Sequence, residues 1–176
     1  MLAGDWYIPD EELDEMTQRA QHLSGRYAEL CRADVAAAHG VLVDLLGTLG
    51  QDTVIRPPLY VDYGVNLHLG ARTFVNFGLV ALDVATITIG DDVQIGPNVQ
   101  LLTPVHPVEA EPRRNKLEAA RPITIGNNVW LGGGAIVCPG VTIGDNTVVG
   151  AGAVVTKDLP ANVLAVGNPA RAVRGI

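Results

Sequence analysis

The sequence predicts a mainly β chain: six-residue repeats winding into a three-sided parallel solenoid, preceded by a small α-helical subdomain. Three observations carry this. Ile125, Leu131, Val137, Ile143, Val149 and Val155 keep an unbroken six-residue spacing. The composition is 48% hydrophobic but only 5% aromatic, with 20 glycines among 176 residues. Such a supply of Val, Ile, Leu, Ala and Gly suits many short, uniformly packed strands. The first 50 residues instead space their apolar positions by three and four, the helical period.

Residues 1–50 are read as the helical subdomain. Asp10 is a candidate N-cap after Pro9, with Glu11 and Glu12 in the first turn, where the helix dipole favours negative charge. Leu13, Met16, Ala20, Leu23, Tyr27 and Leu30 form one apolar face. A second helix starts at a candidate cap, Asp34, and runs down at Gly47 and Gly50. Helices this short need a larger body to pack on.

Residues 51–166 are read as the solenoid. The segments 88–105, 124–141 and 142–159 superpose without gaps, each opening on Thr-Ile-Gly. In each hexamer the position after the aliphatic is usually Gly, and the position four after it is small or β-branched. Two inward positions per six residues make a short strand and a corner; three such sides make a coil, and coils stack at about 4.7–4.8 Å. Residues 54–86 keep apolar spacing near six but lose phase around Thr86–Ile89, so they are read as less regular first coils. Residues 167–176 form a turn, Gly167-Asn168-Pro169, and a tail carrying Arg171 and Arg174.

Between two regular coils lies an irregular stretch, 106–123, read as a protruding loop. A polar, proline-bearing loop ejected from a regular solenoid is either a tolerated insertion or a functional element. His106 stands at its exit, between Pro104 and Pro107, and histidine exchanges a proton near neutral pH.

Net charge is −7, which argues against a broad nucleic-acid footprint and leaves room for an anionic ligand held by a few local cations. No apolar run approaches the roughly 20 residues that span a bilayer. The start, MLAGDWYIPDEE, has neither the basic opening nor the apolar stretch of a signal peptide. Cys31 and Cys138 are far apart and form no CxxC motif, which fits inert thiols in a reducing cytoplasm. A cytoplasmic protein with no nucleic-acid or membrane partner is therefore expected.

The segments PPLYVDYGVNLHLG (57–70), NFGLVALDVATITIGDDVQIGPNVQL (76–101), HPV (106–108), PITIGNNVWLGGGAIVCPGVTIGDNTVVGAGAVVTKDLP (122–160) and GNPARAV (167–173) resemble the maltose and galactoside O-acetyltransferases, a branch of the hexapeptide-repeat acyltransferases. The resemblance covers nearly the whole chain. It implies a left-handed parallel β-helix, a hand that the spacing itself does not give. It also implies a homotrimer, with acetyl-CoA as co-substrate between adjacent subunits.

Residue by residue, the resemblance implies His106 as the general base that takes the proton of an acceptor hydroxyl during direct transfer. It places Asp62, Asn76 and Asp83 on the acceptor side, together with Asp10 from the N-terminal segment. Gly133 matches a backbone donor facing the thioester, where an N–H stabilises charge on the carbonyl oxygen. Asn76, Ala151, Thr156 and Lys157 match the cofactor path, and Arg171 and Arg174 the cationic end that meets the CoA phosphates. Trp130 is read either as lining this cleft or as a packing residue. Val84 stands where some relatives carry a second acidic residue, so the acceptor site is expected to differ from a galactoside site.

The same solenoid also carries zinc-binding carbonic anhydrases with three histidines. Here His22 and His39 lie in the helical part, leaving His68 and His106, too few for that site, so no metal is expected. His68 is read as a coil-surface residue. The leading expectation is acetyl-CoA-dependent O-acetylation of a sugar or glycoside. The alternatives are a non-sugar acceptor (an antibiotic, an amino acid or an amino-sugar nitrogen) and a non-catalytic structural solenoid, which would not bind CoA.

Overall fold

The computed structural model describes residues 4–176; residues 1–3, the start of the N-terminal stretch, lie outside the described residues. Helix α1 (Glu11–Leu30) opens on Asp10, whose side chain accepts from Leu13 N–H, and α2 (Val35–Leu45) opens on Asp34, which accepts from Ala37 N–H. Both N-caps are those that the sequence marks. No helix among the described residues is long and apolar enough to cross a membrane.

The repeats build three parallel faces. Face one stacks Thr48–Leu49, Leu67–Leu69, Ile87–Ile89, Ile123–Ile125 and Thr142–Ile143. Face two stacks Val54–Ile55, Phe74–Val75, Gln94–Ile95, Trp130–Leu131, Val148–Val149 and Val163–Val166, and ends on Arg171–Gly175, which returns antiparallel. Face three stacks Leu59–Val61, Leu79–Leu82, Gln100–Leu102, Ile136–Val137 and Val154–Val155. Register is set by like residues over like: Val75 under Ile95, Ile95 under Leu131, Leu131 under Val149. These inward residues are 0–1% exposed, so the core is one continuous column.

The corner after face one explains the Asn and Asp of the repeats. Asp52, Arg72, Asp92, Asn128, Asn146 and Asn162 all hold φ between +53° and +60°. Asn and Asp tolerate this left-handed region better than most side chains. The column is also bonded along the axis: Asn128 donates to Asn146 and Asn146 to Asn162, at 2.9 and 2.8 Å.

The corner between faces three and one breaks the pattern. Val75 lies twenty residues before its partner Ile95, whereas Leu131 lies eighteen before Val149. The extra residues of the early coils fall in the turns 62–66 and 83–86, so the phase loss seen near Thr86–Ile89 is a lengthened corner, repeated in both coils. In the next coil the same corner carries the long insertion. Its base is a ladder in which Pro104–Val105 pairs antiparallel with Ala119–Ala120, and it holds a short helix, α3 (Ala110–Arg114). Ile123, the last residue assigned to the loop, already pairs with Ile87 in face one. Likewise Thr48–Leu49 pairs with His68–Leu69, so the solenoid begins before residue 51.

Helix α2 closes the first coil, with Leu45 fully buried against Gly64. The second half of α1 packs Tyr27 onto the same core. Its first half leans instead on the irregular corner, where Leu13 and Met16 meet Tyr63, Val84, Ala85 and Ala120. That placement sets the first turns of α1 above the insertion.

Candidate active site

The irregular corner encloses a cleft of about 320 Å³. Pro9, Leu13, Asp14 and Thr17 form its helical wall, Asp62, Tyr63, Leu82 and Val84 the two lengthened turns, and Pro104, His106 and Glu118 the insertion. The departures from the hexamer rule in three successive coils thus converge on one place.

Buried polar groups hold these turns. Asp83 is fully buried, and its carboxylate accepts from the backbone N–H of Asp62 (3.1 Å), Tyr63 (2.9 Å) and Asn66 (3.1 Å). Asn66 Nδ2 in turn donates to Asp83 O. One coil later Thr103 repeats the device: its hydroxyl donates to Leu82 O and accepts from Ala85 N–H. A buried carboxylate is costly without such donors. Asp83 was expected to face the acceptor; with no exposed surface and three N–H groups on its oxygens, it instead shapes the turn that presents Asp62.

His106 leads out of the ladder, its side chain 56% exposed. Nδ1 lies 3.4 Å from Leu117 O. A carbonyl oxygen only accepts, so the tautomer that donates to Leu117 O carries its proton on Nδ1 and its lone pair on Nε2. Nε2 is 3.7 Å from Glu118 Oε2. The other oxygen, Oε1, accepts from Tyr7 OH at 2.5 Å.

The cleft is rich in acidic groups. Burial, then the neighbouring Asp83 and Glu118, pushes the Asp62 carboxyl up to about 6. Burial, then Asp62, pushes the Tyr63 phenol up to about 12. Burial and the bond to Glu118 raise Tyr7 further still.

Asp10, also expected at the acceptor, caps α1; Asp14, one turn on, lines the cleft in its place. Thr156 and Lys157 follow Val155, which stacks over Val137 and Leu101, so they occupy the His106 corner two coils further along. Asn76, Gly133 and Ala151 belong to the other end of face three, at its corner with face two. There Gly96 allows a close approach, since a Cβ on it would sit 2.5 Å from Gly133 N. Gly133 N–H has no acceptor within the chain among the described residues. Trp130 points outward from face two beside this corner and is 55% exposed, so it is not a packing residue of the single chain. Arg171 and Arg174 lie on the terminal strand of face two, both exposed. Sequence reasoning missed Tyr7, Asp14, Thr17 and Glu118, which sit outside the repeats and carry no periodic signal.

The family description "Bacterial transferase hexapeptide (six repeats)" matches residues 122–157, and "Maltose acetyltransferase hexapeptide capping motif" matches residues 1–50. Nodulation protein L of Rhizobium meliloti is 48% identical over 99% of this chain and 96% of its own length. The galactoside O-acetyltransferase of Escherichia coli is 43% identical over 94% of this chain and 82% of its own. This chain belongs to the hexapeptide-repeat acetyltransferases of the galactoside and maltose type. A solved galactoside acetyltransferase in complex with coenzyme A superposes with a TM-score of 0.95 at 42% identity, covering 99% of this chain and 88% of that one. A maltose O-acetyltransferase from Clostridium difficile gives 0.97 at 41%, covering 99% and 94%. The fold is thus the left-handed parallel β-helix of these acetyltransferases, and the capping-motif match coincides with the helical segment that roofs the cleft.

Proposed function

We propose that this acetyltransferase moves the acetyl group of acetyl-CoA directly to a hydroxyl of a sugar or glycoside, with His106 as general base. The observation that carries the reading is the imidazole at a cleft lined by hydrogen-bonding groups, with Nδ1 3.4 Å from Leu117 O; donation there leaves Nε2 to act as the base. Nε2 takes the proton of the acceptor hydroxyl as that oxygen attacks the thioester carbonyl. The imidazolium then returns the proton to the departing CoA sulfur, and the histidine is never acylated. Asp62, Asp14 and Thr17 supply partners for further hydroxyls.

Acetyl-CoA fits the rest of the predicted set. The unpaired N–H of Gly133 is free to meet charge developing on the carbonyl oxygen. Lys157, Arg171 and Arg174 are local cations for the phosphates on an otherwise acidic chain. His106 and Gly133, however, stand at opposite corners of face three. A donor meeting both would have to cross that face in one chain, whereas adjacent copies in a homotrimer bring one corner against the other. The outer surfaces support that packing. Faces two and three present Val54, Phe74, Gln94, Trp130 and Val148, and Tyr60, Val80, Gln100, Ile136 and Val154, rows that are apolar but for one glutamine each, whereas face one presents Thr88, Thr124 and Thr142. Val54, Tyr60 and Trp130 are each more than half exposed in the single chain, and a partner would cover them. The two free cysteines suit a reducing cytoplasm.

The test is release of CoA thiol from acetyl-CoA with maltose, glucose, galactosides, amino sugars, amino acids and an antibiotic panel as acceptors. Release dependent on a sugar hydroxyl is the expected result. Release only with a non-sugar acceptor would keep the donor and overturn the acceptor class. Absence of CoA binding would overturn the reading in favour of a structural solenoid.

A further inference from the structure

We propose that Tyr7, in the arm ahead of α1, and Glu118, at the far end of the insertion, are positioning residues for His106. The inference rests on the reading of His106 as the base. Both imidazole nitrogens face the dipeptide Leu117-Glu118: Nδ1 faces Leu117 O at 3.4 Å, and Nε2 faces Glu118 Oε2 at 3.7 Å. That dipeptide is fastened by Tyr7. Tyr7 N–H donates to Glu118 O at 2.8 Å, Glu118 N–H donates to Tyr7 O at 2.9 Å, and Tyr7 OH donates to Glu118 Oε1 at 2.5 Å. Both backbone hydrogen-bonding groups of Glu118 are thereby spent on Tyr7.

The charges around His106 point the same way. The Glu118 side chain is only 17% exposed. Among the described residues, the phenol of Tyr7 is its one hydrogen-bond donor, and His106 is the one basic group within salt-bridge reach. A largely buried carboxylate with no Lys or Arg partner keeps its field, and that field is aimed at the nitrogen that becomes protonated in the reaction. The gain therefore falls mainly on the imidazolium-bearing state, which is where catalysis needs it. The phenol stays protonated, since burial and Glu118 raise its pKa. It fixes which way the carboxylate turns by occupying Oε1 and leaving Oε2 to the ring. The backbone bridge between Tyr7 and Glu118 holds the arm without the hydroxyl. Removing the phenol oxygen should therefore leave the arm docked.

Steady-state acetyl transfer by wild type, Tyr7→Phe, Glu118→Gln and the double variant tests this, with ¹⁵N spectra of the histidine-labelled proteins alongside. Each single variant should lower kcat about tenfold to a hundredfold, as the carboxylate 3.7 Å from the imidazolium is neutralised or turned away. KM for acetyl-CoA should stay within about twofold, since ground-state binding is untouched. The double variant should be no worse than Glu118→Gln alone, because Tyr7 acts through Glu118. The ¹⁵N signals of the His106 ring should shift in Tyr7→Phe and in Glu118→Gln, since both change the field at Nε2. Single variants with wild-type kcat, effects that multiply in the double variant, or an unaltered ring spectrum would overturn the proposal. If wild type moved no acetyl group while the ring still responded to Tyr7→Phe, the functional reading would fail and the positioning role would stand.

Discussion

Asp83 reaches back one coil to take the backbone N–H of Tyr63 at 2.9 Å, and the turn that this bond closes presents Asp62 to the cleft. Replacing Asp83 with Ala strands three backbone N–H groups, one buried and two part-buried. Each unsatisfied group costs about 1–3 kcal/mol, and relaxation recovers part of the total, so Asp83→Ala should lose about 2–4 kcal/mol in urea unfolding. The acceptor KM should rise with it, while CoA binding, assigned to Gly133 at another corner and to Thr156 and Lys157 in later coils, holds.

Asp62 makes stability depend on pH. Its folded pKa, about 6, lies above the ordinary value of 3.8, so the folded state binds more protons between those values. Its contribution is therefore full below about 4 and is lost as pH rises through about 6. Two units correspond to about 3 kcal/mol as an upper figure. Asp62→Asn should flatten the fall in melting temperature across pH 4–6.5, and the same slope in the variant as in wild type would contradict this.

The stacked column predicts unequal tolerance on the two sides of a coil. Leu131 is fully buried between Ile95 and Val149, so Leu131→Ala should cost about 2–5 kcal/mol. Thr124, on the exposed side of face one, should tolerate Ala within about 0.5 kcal/mol. Paired denaturation curves compare the two.

How much of this could be read from the chain follows from what periodicity reports. Spacing reveals what faces inward, so the hexamers, the stacking of Thr88, Thr124 and Thr142, and both helix caps were plain in the sequence. The site is built where periodicity fails; there the pattern itself marked only His106, through the abrupt end of the repeats, and Asp62 came from the family resemblance. Tyr7 and Glu118 meet across 111 residues, and nothing local marks that pairing. Asp83 resembled an acceptor contact because sequence cannot tell a carboxylate facing a ligand from one turned into the backbone.

The proposed homotrimer predicts that two inactive variants complement each other. A side chain at Gly96 would displace Gly133, so Gly96→Val should disable one corner and His106→Ala the other. Each variant alone should be inactive. Coexpressed, they should recover about a quarter of wild-type activity, the share of interfaces in a randomly mixed ring that unite two intact corners. Recovery of nothing would place the whole site in one chain.

The most direct test of the account is to compare acetyl transfer and CoA binding in wild type and His106→Ala. The account predicts that the variant keeps its fold and its CoA affinity while turnover falls by at least about a hundredfold, the lower end for loss of a general base. Turnover equal to wild type would remove His106 from the reaction and, with it, the mechanism proposed for this cleft.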